Sequence, residues 1–436
     1  MKLRLQLQLW LQVLPELAWW NVEQEIGVEK LLEFIRKENG AVNVIDVRNA
    51  EEYMRGSFPG AVCIQKSELM AMDTEEDIEH QKQYVDGVLK AHGIEKNRTM
   101  FIFCHTGLIS SAVTDYLRYL GLDAVNVAGG YRTLLRLNLE KIVQEDNKIK
   151  ERRARIENSI VKKFHVPIYS QFIKAVKEYE LVRDGDRIAV CISGGKDSML
   201  LAKLMQELKR QKKVDFGLKF LVMDPGYNSE NYQIIIDNAK LLGIDIKIFK
   251  SEIFDIVAGV NKSPCYLCAR MRRGYLYRFA KELSCNKIAL GHHFDDVIET
   301  VLMGMFYSGQ FQTMMPKLHS RNFPGMELIR PLYRIKEDDI KAWRDYNDLH
   351  FIQCACRFTE NCATCGGSRG SKRDEMKTLI REMKKTNPTV DADIFRSITD
   401  INLDTVLGYH RDTGERHSFL DTYYGAAALD KETGEE

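Results

Sequence analysis

The sequence lacks three features that would place it in a specialised class: a net charge, a long apolar run and an internal repeat. Its 436 residues carry 63 basic and 62 acidic side chains, and this balance excludes a histone-like or supercharged protein. No apolar run approaches the roughly 18 residues that a membrane-spanning helix needs, so we predict no membrane span. What is present is a globular composition, 44% hydrophobic and 29% charged, in a chain long enough for two or three domains.

Charge is distributed unevenly along the chain. Residues 1–140 hold 15 basic and 20 acidic side chains, so the basic excess falls in 141–405. We therefore expect a polyanionic partner to meet the middle of the chain. Near the N-terminus, leucines alternate with glutamines within Met1–Trp20, which is typical of a strand or an irregular extension rather than of a signal peptide. This pattern favours a cytoplasmic protein.

Two blocks of alternating strands and helices predict an α/β protein with parallel sheets. The first block has apolar strands at Val42–Val47 and Thr99–Cys104. The second block begins at Arg187 and repeats often enough to predict a doubly wound sheet. The predicted divisions are an N-terminal extension (1–25), a first domain (26–138), a helical connection (139–180), a second domain (181–405) and a loose polar tail (406–436).

The most specific motif is Ser193-Gly194-Gly195-Lys196-Asp197-Ser198, which follows an apolar strand at Ile188–Ile192. Two glycines let the backbone turn tightly and approach an anion closely. The free N–H groups and the dipole of a helix that starts here favour a phosphate, while Lys196 adds positive charge and the two serines add hydroxyl donors. The Walker pattern is absent, which disfavours a kinase or a GTPase.

This loop resembles the PP-loop signature Ser-Gly-Gly-x-Asp-Ser of N-type ATP pyrophosphatases, which have an adenine nucleotide alpha hydrolase-like fold. A second block, Gly291–Thr300, resembles the Gly-His-x-x-Asp-Asp-x-x-Glu-Thr motif of PP-loop enzymes that modify tRNA. Together with the segments 305–317 and 329–332, residues 160–405 resemble the TtcA-type tRNA 2-thiocytidine synthetases. One departure is Met315, where that family tends to have a second proline.

The resemblance implies that ATP is split into AMP and pyrophosphate and that the AMP activates the C2 oxygen of a tRNA pyrimidine, with an anticodon-loop cytidine favoured. Lys196 and Asp197 would act in catalysis, and Asp197, Asp295 and Asp296 would orient ATP or Mg²⁺. The implied ATP site consists of Ser193, Gly194, Gly195, Lys196, Asp197, Ser198, Asp295 and Asp296.

Ten cysteines are present, and four of them crowd into 354–365. In a long chain such clustering favours metal or redox chemistry over a disulfide framework. Cys265 and Cys268 have the spacing of a pair that holds a metal or an iron–sulfur cluster, with a redox dithiol as the alternative. The resemblance implies a [4Fe–4S] cluster on three cysteines, with one iron open for sulfide. Its ligands would be Cys265, Cys268 and either Cys354 or Cys356, which leaves Cys362 and Cys365 for a structural zinc or as free thiols.

Four short motifs together resemble a rhodanese-like domain over 26–138: Asp46-Val-Arg48, Gly56–Ala61, Cys104–Gly107 and Ala128–Gly130. Cys104 ends a predicted strand, and the loop after it leads into a helix. Backbone N–H groups are therefore expected to point at the sulfur, to lower the pKa of the thiol and to stabilise a thiolate or a persulfide. Rhodaneses usually have arginine where this chain has Ile109, so we expect thiosulfate to be a poor donor. A protein persulfide donor and a degenerate docking domain stay open.

The main hypothesis is an ATP-dependent tRNA sulfurtransferase in which the first domain handles sulfur and the second activates the base. Its partners would be tRNA and a cysteine desulfurase or another sulfur donor, and the chain is a candidate homodimer. Three alternatives stay open: a tRNA 2-thiouridine synthetase, a non-catalytic iron–sulfur relay protein, and an ATP-dependent enzyme that acts on a small molecule. The basic pairs expected to contact tRNA phosphates are Arg152-Arg153, Lys162-Lys163, Lys212-Lys213 and Lys372-Arg373.

Overall fold

The computed structural model describes residues 25–37, 42–70, 77–251, 253, 264–352, 372–411, 413–421 and 423, with the backbone alone for 264–269. The chain forms two compact units, Met1–Lys148 and Ile149–Glu436, and each unit has a parallel sheet. No helix in the described ranges is long and apolar enough to cross a membrane. The interpretation of Met1–Trp20 as an extension concerns residues outside these ranges, and the predicted domain limits stay predictions.

The first unit is built on a five-stranded, fully parallel sheet. Its strands are β1 (Glu25–Gly27), β2 (Asn43–Asp46), β3 (Val62–Cys63), β4 (Met100–Phe103) and β5 (Ala124–Ala128). They lie in the order β1-β5-β4-β2-β3, and every residue of the central strands β2 and β4 is buried. Such burial is expected where helices cover both faces of a sheet. The helices are α1 (Val28–Lys37), α2 (Ala50–Met54), α3 (Lys66–Leu69), α4 (Ile78–Ala91) and α5 (Leu108–Tyr119).

The second unit contains a six-stranded sheet, whose parallel part confirms the predicted α/β class. Its strands are β6 (Arg187–Ile192), β7 (Gly217–Asp224), β8 (Ile246–Lys250), β9 (Lys287–Ala289), β10 (Lys317–His319) and β11 (Glu327–Ile329). The order is β10-β11-β9-β6-β7-β8, and only β10 runs antiparallel to its neighbour. The chain proceeds from β6 to β7 and β8 on one side and then places β9 on the other side of β6. The switch point of the sheet therefore lies between β6 and β9, where open α/β sheets bind ligands.

Helices flank this second sheet, and two of them begin earlier than predicted. The sequence predicts a helix over Tyr275–Leu283, but this helix begins at Pro264. The helix of the predicted connection (139–180) begins at Gly130. The helices are α6 (Gly130–Val161), α7 (Gln171–Glu178), α8 (Lys196–Arg210), α9 (Ser229–Leu242), α10 (Pro264–Glu282), α11 (Phe294–Ser308), α12 (Glu337–Tyr346), α13 (Lys372–Lys384) and α14 (Val390–Thr399).

The predicted loose tail contains a two-stranded antiparallel hairpin of β12 (Gly408–His410) and β13 (Arg416–Ser418). Tyr409 and His417 face each other in register, and their rings stack with centroids 4.6 Å apart. The prediction missed this hairpin because its short strands are polar and show no alternation of apolar residues.

Candidate nucleotide site and candidate sulfur site

The loop between β6 and α8 adopts a conformation that requires glycine at position 194. Gly194 has φ +83°, and a Cβ atom there would come within 2.6 Å of Ile352 and 2.7 Å of Ile235. The loop closes on itself, because Ser193 N–H donates to Ser198 Oγ at 3.2 Å and Ser198 Oγ donates to Gly195 O at 2.9 Å. These bonds hold the backbone in a tight turn at the switch point of the sheet.

The start of α8 offers backbone donors and a cation to an anion. Gly195 caps the helix without any side-chain hydrogen bond, so the N–H groups of the first turn are available to a phosphate. Lys196, the first residue of α8, places Nζ 3.2 Å from the carboxylate of Asp197 and 3.1 Å from Glu337 Oε1. Glu337 begins α12, and no sequence motif identifies it as part of this site.

Several cations surround the Glu337 carboxylate. Burial alone would raise its pKa, but Lys196 above all, and also Lys377 and Lys341, outweigh burial and lower the pKa of Glu337 to about 2. Glu337 is therefore ionised at neutral pH and acts as a counter-ion to Lys196.

The block Gly291–Thr300 packs directly on the start of α8. A Cβ atom at Gly291 would lie 3.1 Å from Ser198 N, so a side chain there would push the start of α8 away by a few tenths of an ångström. His293 caps α11, and its backbone N–H donates to Asp296 Oδ2 at 3.0 Å. Its ring nitrogens lie 3.5–3.9 Å from carboxylate oxygens of Asp197, Asp295 and Asp296. The structure thus brings the three predicted aspartates together around one histidine.

Asp295 and Asp296 are also bonded to neighbouring elements. Asp295 Oδ2 accepts a hydrogen bond from Glu337 N–H at 2.7 Å, and Asp296 forms an ion pair with Arg373. Burial would raise the pKa of Asp296, but His293 and Arg373 outweigh burial and lower it. Both aspartates therefore fix α12 and α13 against α11.

A second acidic residue of the motif, Glu299, lies deeper. It is 1% exposed, and burial raises its pKa to about 8 although Lys377 and Arg373 lie close by. Glu299 Oε2 and His292 Nδ1 are buried and form no hydrogen bond within the described part of the chain. Glu299 Oε2 nevertheless lies 3.6 Å from an Arg373 nitrogen, so the carboxyl is held by an ion pair rather than by a hydrogen bond. The sequence motif contained Glu299 and His292, but their burial was not predictable from it.

An open cavity of about 650 Å³ lies beside this site. Gly195, Lys196 and Asp197 line one side, and Glu337 and Phe351 are among the residues that line the other. Its volume is in the range of small-molecule sites, roughly 300–1,000 Å³.

Most of the cysteines predicted to hold the cluster lie outside the residues that the structure describes. Cys265 and Cys268 lie one turn apart on α10, which is compatible with two ligands of one cluster. Cys354, Cys356, Cys362 and Cys365 lie outside the described residues. The ligand set therefore stays a prediction. Within the described ranges, no group of three or more His, Cys, Asp or Glu side chains has a geometry that would hold a metal ion.

In the first unit, Cys104 follows β4 and lies beneath the start of α5. Its Sγ atom accepts hydrogen bonds from Gly107 N–H at 3.2 Å and from Ser110 N–H at 3.4 Å. Burial alone would raise the pKa of Cys104, but hydrogen bonds from the Ser110 hydroxyl and from backbone N–H groups outweigh burial and lower it. The predicted contacts to the sulfur are present, whereas its role in sulfur transfer stays a prediction.

Other residues of the rhodanese-like motifs are joined to one another by polar contacts. Arg48 and Asp46 form a buried pair at 2.7 Å, and Arg48 also donates to Gly56 O at 2.7 Å. At the mouth of the Cys104 loop, Leu108 and Ile109 are 79% and 52% exposed. Ile109 therefore presents an apolar side chain where rhodaneses usually have arginine.

Fold and sites together define a PP-loop protein that carries a rhodanese-like domain. A profile of the PP-loop domain matches residues 166–356, and a profile of the rhodanese-like domain matches residues 28–136. The chain is 33% identical to a tRNA-cytidine(32) 2-sulfurtransferase of Burkholderia multivorans, over 64% of this chain and 78% of that protein. A protein of the same name from Anaeromyxobacter is 33% identical, over 52% and 76%. The chain belongs to the tRNA-cytidine(32) 2-sulfurtransferase family.

Solved structures show more distant likeness. One is the structure of the U34-tRNA thiolase NcsA from Methanococcus maripaludis with its [4Fe-4S] cluster. It is 22% identical with a TM-score of 0.44, and the alignment spans 56% of this chain and 80% of the thiolase chain. A rhodanese-related protein from Thermoplasma volcanium is 26% identical with a TM-score of 0.20, and covers 26% of this chain and 91% of that chain.

Proposed function

We propose that the chain is an ATP-dependent tRNA sulfurtransferase that replaces the C2 oxygen of a cytidine with sulfur. The names of its relatives state position 32 of tRNA for those proteins, and we extend that position to this chain. The observation that carries the proposal is the glycine loop 193–198, which presents free backbone donors and Lys196 at the switch point of the sheet. We place the reaction in the cytoplasm, and the homodimer stays a prediction.

In the first step, the C2 oxygen of the base attacks the α-phosphorus of ATP. The bond from that phosphorus to the bridging oxygen breaks, and pyrophosphate leaves. The N–H groups at the start of α8 and the Lys196 ammonium stabilise the charge that develops on the phosphates. Asp197, Asp295 and Asp296 would orient Mg²⁺, and the phosphates of ATP would supply further oxygen ligands, since Mg²⁺ is usually held by one or two carboxylates and by phosphates.

In the second step, hydrosulfide attacks C2 of the adenylated base. AMP leaves with the original oxygen, and one proton is lost as the thiocarbonyl forms. Cys265, Cys268 and either Cys354 or Cys356 would hold a [4Fe–4S] cluster, which would supply an iron able to bind sulfide.

Cys104 is the proposed entry point of sulfur. Its thiolate attacks the terminal sulfur of a protein persulfide, and the donor cysteine leaves as a thiolate. Release of that sulfur as hydrosulfide takes two electrons from a thiol reductant, which becomes a disulfide. The exposed Leu108 and Ile109 favour a protein donor such as a cysteine desulfurase over thiosulfate, because an apolar rim offers no charge to a small dianion.

The tRNA is proposed to bind a basic groove formed by α6 and the end of α12, with a volume of about 540 Å³. Arg155, Lys162 and Lys163 line it, and none of them forms an ion pair with any described residue. Lys163 Nζ lies 3.7 Å from the ring centroid of Tyr346, which is 56% exposed. Unpaired cations beside an exposed aromatic ring are suited to a phosphate backbone and an unstacked base.

The decisive experiment is thiolation by the purified full-length chain under anaerobic conditions, with tRNA, ATP, Mg²⁺ and a sulfur source. We expect 2-thiocytidine in the digested tRNA, with AMP and pyrophosphate as products. Lys196→Ala should abolish all three products, and Cys104→Ala should reduce thiolation from a protein persulfide but not from free sulfide. Formation of ADP, or of a thiouridine, would contradict the proposal. Unchanged thiolation in both variants would contradict the roles proposed for Lys196 and Cys104. Absence of thiolation by the unaltered chain, with tRNA still bound, would favour a relay protein without turnover.

A further inference from the structure

A series of hydrogen-bonded polar groups leads from the buried Cys104 through buried Ser110 and Asn126 to the exposed Glu25 on β1. Ser110 and Asn126 are 0% and 2% exposed, and Asn126 lies between two valines of β5. Its register partner on β1 is Glu25. Asn126 Nδ2 donates to Glu25 Oε1 at 2.8 Å, and Ser110 Oγ donates to Asn126 Oδ1 at 2.7 Å. Ser110 Oγ also lies 3.4 Å from Cys104 Sγ.

The chemistry of these groups fixes the direction of the bonds. The carboxylate of Glu25 only accepts hydrogen bonds, so Asn126 must turn its amide N–H to Glu25 and its carbonyl oxygen to Ser110. The Ser110 hydroxyl has one proton, and two acceptors lie within its reach. It donates to Asn126 or to the Cys104 sulfur, but not to both.

We infer that Asn126, oriented by Glu25, competes with the Cys104 sulfur for the Ser110 proton. In the thiol form, Cys104 S–H donates to Ser110 Oγ while Ser110 donates to Asn126. In the thiolate form, the Ser110 hydroxyl turns to the sulfur and Asn126 loses its donor. Ser110 therefore favours ionisation of Cys104, and Asn126 and Glu25 are positioning residues that oppose it. The competition for the proton is independent of the proposed function, and only its use in sulfur transfer rests on the role proposed for Cys104.

No other side chain in the described residues takes the place of Ser110 as a hydrogen-bond donor to the Cys104 sulfur. The remaining hydrogen bonds to Sγ come from the backbone, and no charged side chain donates to it within the described residues. Two charged residue types lie nearby, His105 in the loop and Arg132 at the start of α6. The hydrogen bond between them is a backbone one, in which Arg132 N–H donates to His105 O at 2.9 Å. Glu25 is thus the titratable group that is connected to the sulfur through side-chain hydrogen bonds.

The test is the pH profile of iodoacetamide alkylation at Cys104 in the full-length chain. Because the chain has ten cysteines, alkylation is read on the Cys104 peptide by mass spectrometry. Ser110→Ala should move the midpoint of the profile upward by about one pH unit, since a hydrogen bond to a charged sulfur is lost. Asn126→Leu should move it downward, because the Ser110 proton is then free for the sulfur. Ser111→Ala, a neighbour on the same helix, is the matched control and should leave the midpoint unchanged.

Two further variants separate competition from damage to the fold. The double variant Ser110→Ala/Asn126→Leu should have the midpoint of Ser110→Ala, because Asn126 acts only through Ser110. Glu25 is exposed, so Glu25→Gln should fold and can test the hydrogen-bonded series if Asn126→Leu does not fold. Glutamine can accept or donate, so the Asn126 amide can reverse, and the midpoint should again fall.

An upward or absent shift in Asn126→Leu and Glu25→Gln, or additive shifts in the double variant, would overturn the inference. The readout is independent of thiolation. If Cys104→Ala thiolates tRNA as well as the unaltered chain while these shifts occur, the proposed sulfur role fails and the inference stands.

Discussion

Lys196 and Glu337 show how one residue of the nucleotide site is kept in place by another that is distant in sequence. The Lys196 ammonium contacts two carboxylates, and the Glu337 carboxylate also lies 3.1 Å from Lys341 and 3.4 Å from Lys377. When a phosphate binds, Lys196 can exchange part of this pairing for the new anion. Glu337 remains neutralised by the other two lysines, so the exchange leaves no buried charge unpaired.

The lowered pKa of Glu337 predicts a pH-dependent contribution to stability. A carboxyl whose folded pKa is depressed stabilises the fold above its ordinary pKa, and this stabilisation is lost as the pH falls towards about 2. Glu337→Gln should therefore lower the free energy of unfolding by about 1–3 kcal/mol at pH 7 and by much less at pH 3, as measured by urea unfolding. Asp338→Asn, whose carboxyl is 87% exposed, is the control and should have little effect at either pH. An equal loss for Glu337→Gln at both pH values would contradict this explanation.

At the scale of elements, the nucleotide site depends on close packing of the loop 193–198 against its neighbours. Gly194 requires both a left-handed backbone and the absence of a side chain, whereas Gly185 requires only the backbone, since nothing lies within 4 Å of a Cβ there. The two glycines therefore allow strain and steric overlap to be separated.

Gly194→Ala should destabilise the second unit and abolish ATP binding, because a methyl group would displace Ile352 and Ile235. Gly185→Ala has a similar φ of +81° and is expected to lose only about 1 kcal/mol with ATP binding retained. Isothermal calorimetry with a non-hydrolysable ATP analogue and thermal unfolding would measure both effects. Equal losses in the two variants would show that packing at Gly194 is unimportant.

At the scale of the whole molecule, the chain is electrically balanced but its charge is not evenly placed. The first 140 residues are acidic, and the basic excess lies in the part that contains the groove of Arg155, Lys162 and Lys163. A balanced protein attracts a polyanion only through such a local concentration of unpaired cations. Of the four basic pairs named from the sequence, Lys162-Lys163 and Arg152 of Arg152-Arg153 line this groove. Arg373 instead pairs with Asp296 and Glu299 inside the second unit.

The triple variant Arg155→Gln/Lys162→Gln/Lys163→Gln should weaken tRNA binding by about ten- to hundredfold at moderate salt. It should also reduce the slope of log K against log salt by about two, because each phosphate contact contributes roughly 0.7–0.9. Filter binding over a salt series measures both quantities. The control Lys212→Gln/Lys213→Gln removes two cations of another predicted basic pair that does not line this groove, and it should retain most of the affinity. A larger loss in the control than in the triple variant would remove the groove as the tRNA site.

The sequence predicted most of the parallel strands and the two loops that carry chemistry, because both features are local, but it did not predict the short strands β1, β3, β10 and β11. Apolar runs ending in glycine, serine or cysteine mark the ends of parallel strands. The sequence also predicts a strand at Phe216–Met223, and the strands β2, β4, β6 and β7 all lie within about two residues of their predictions. Helix starts were less predictable. Pro264–Glu282 has no long apolar period in its first half, so only its later residues were identified.

By itself the sequence determined where the phosphate loop and the Cys104 loop lie, since glycine, serine and a strand before a helix specify such turns locally. Only the tertiary structure decided which distant groups complete them. Glu337 reaches Lys196 across 141 positions, and Asn126 and Glu25 meet through strand register across 101 positions. Sequence spacing does not encode such pairs, because they are set by how the strands are ordered and how the helices pack on them.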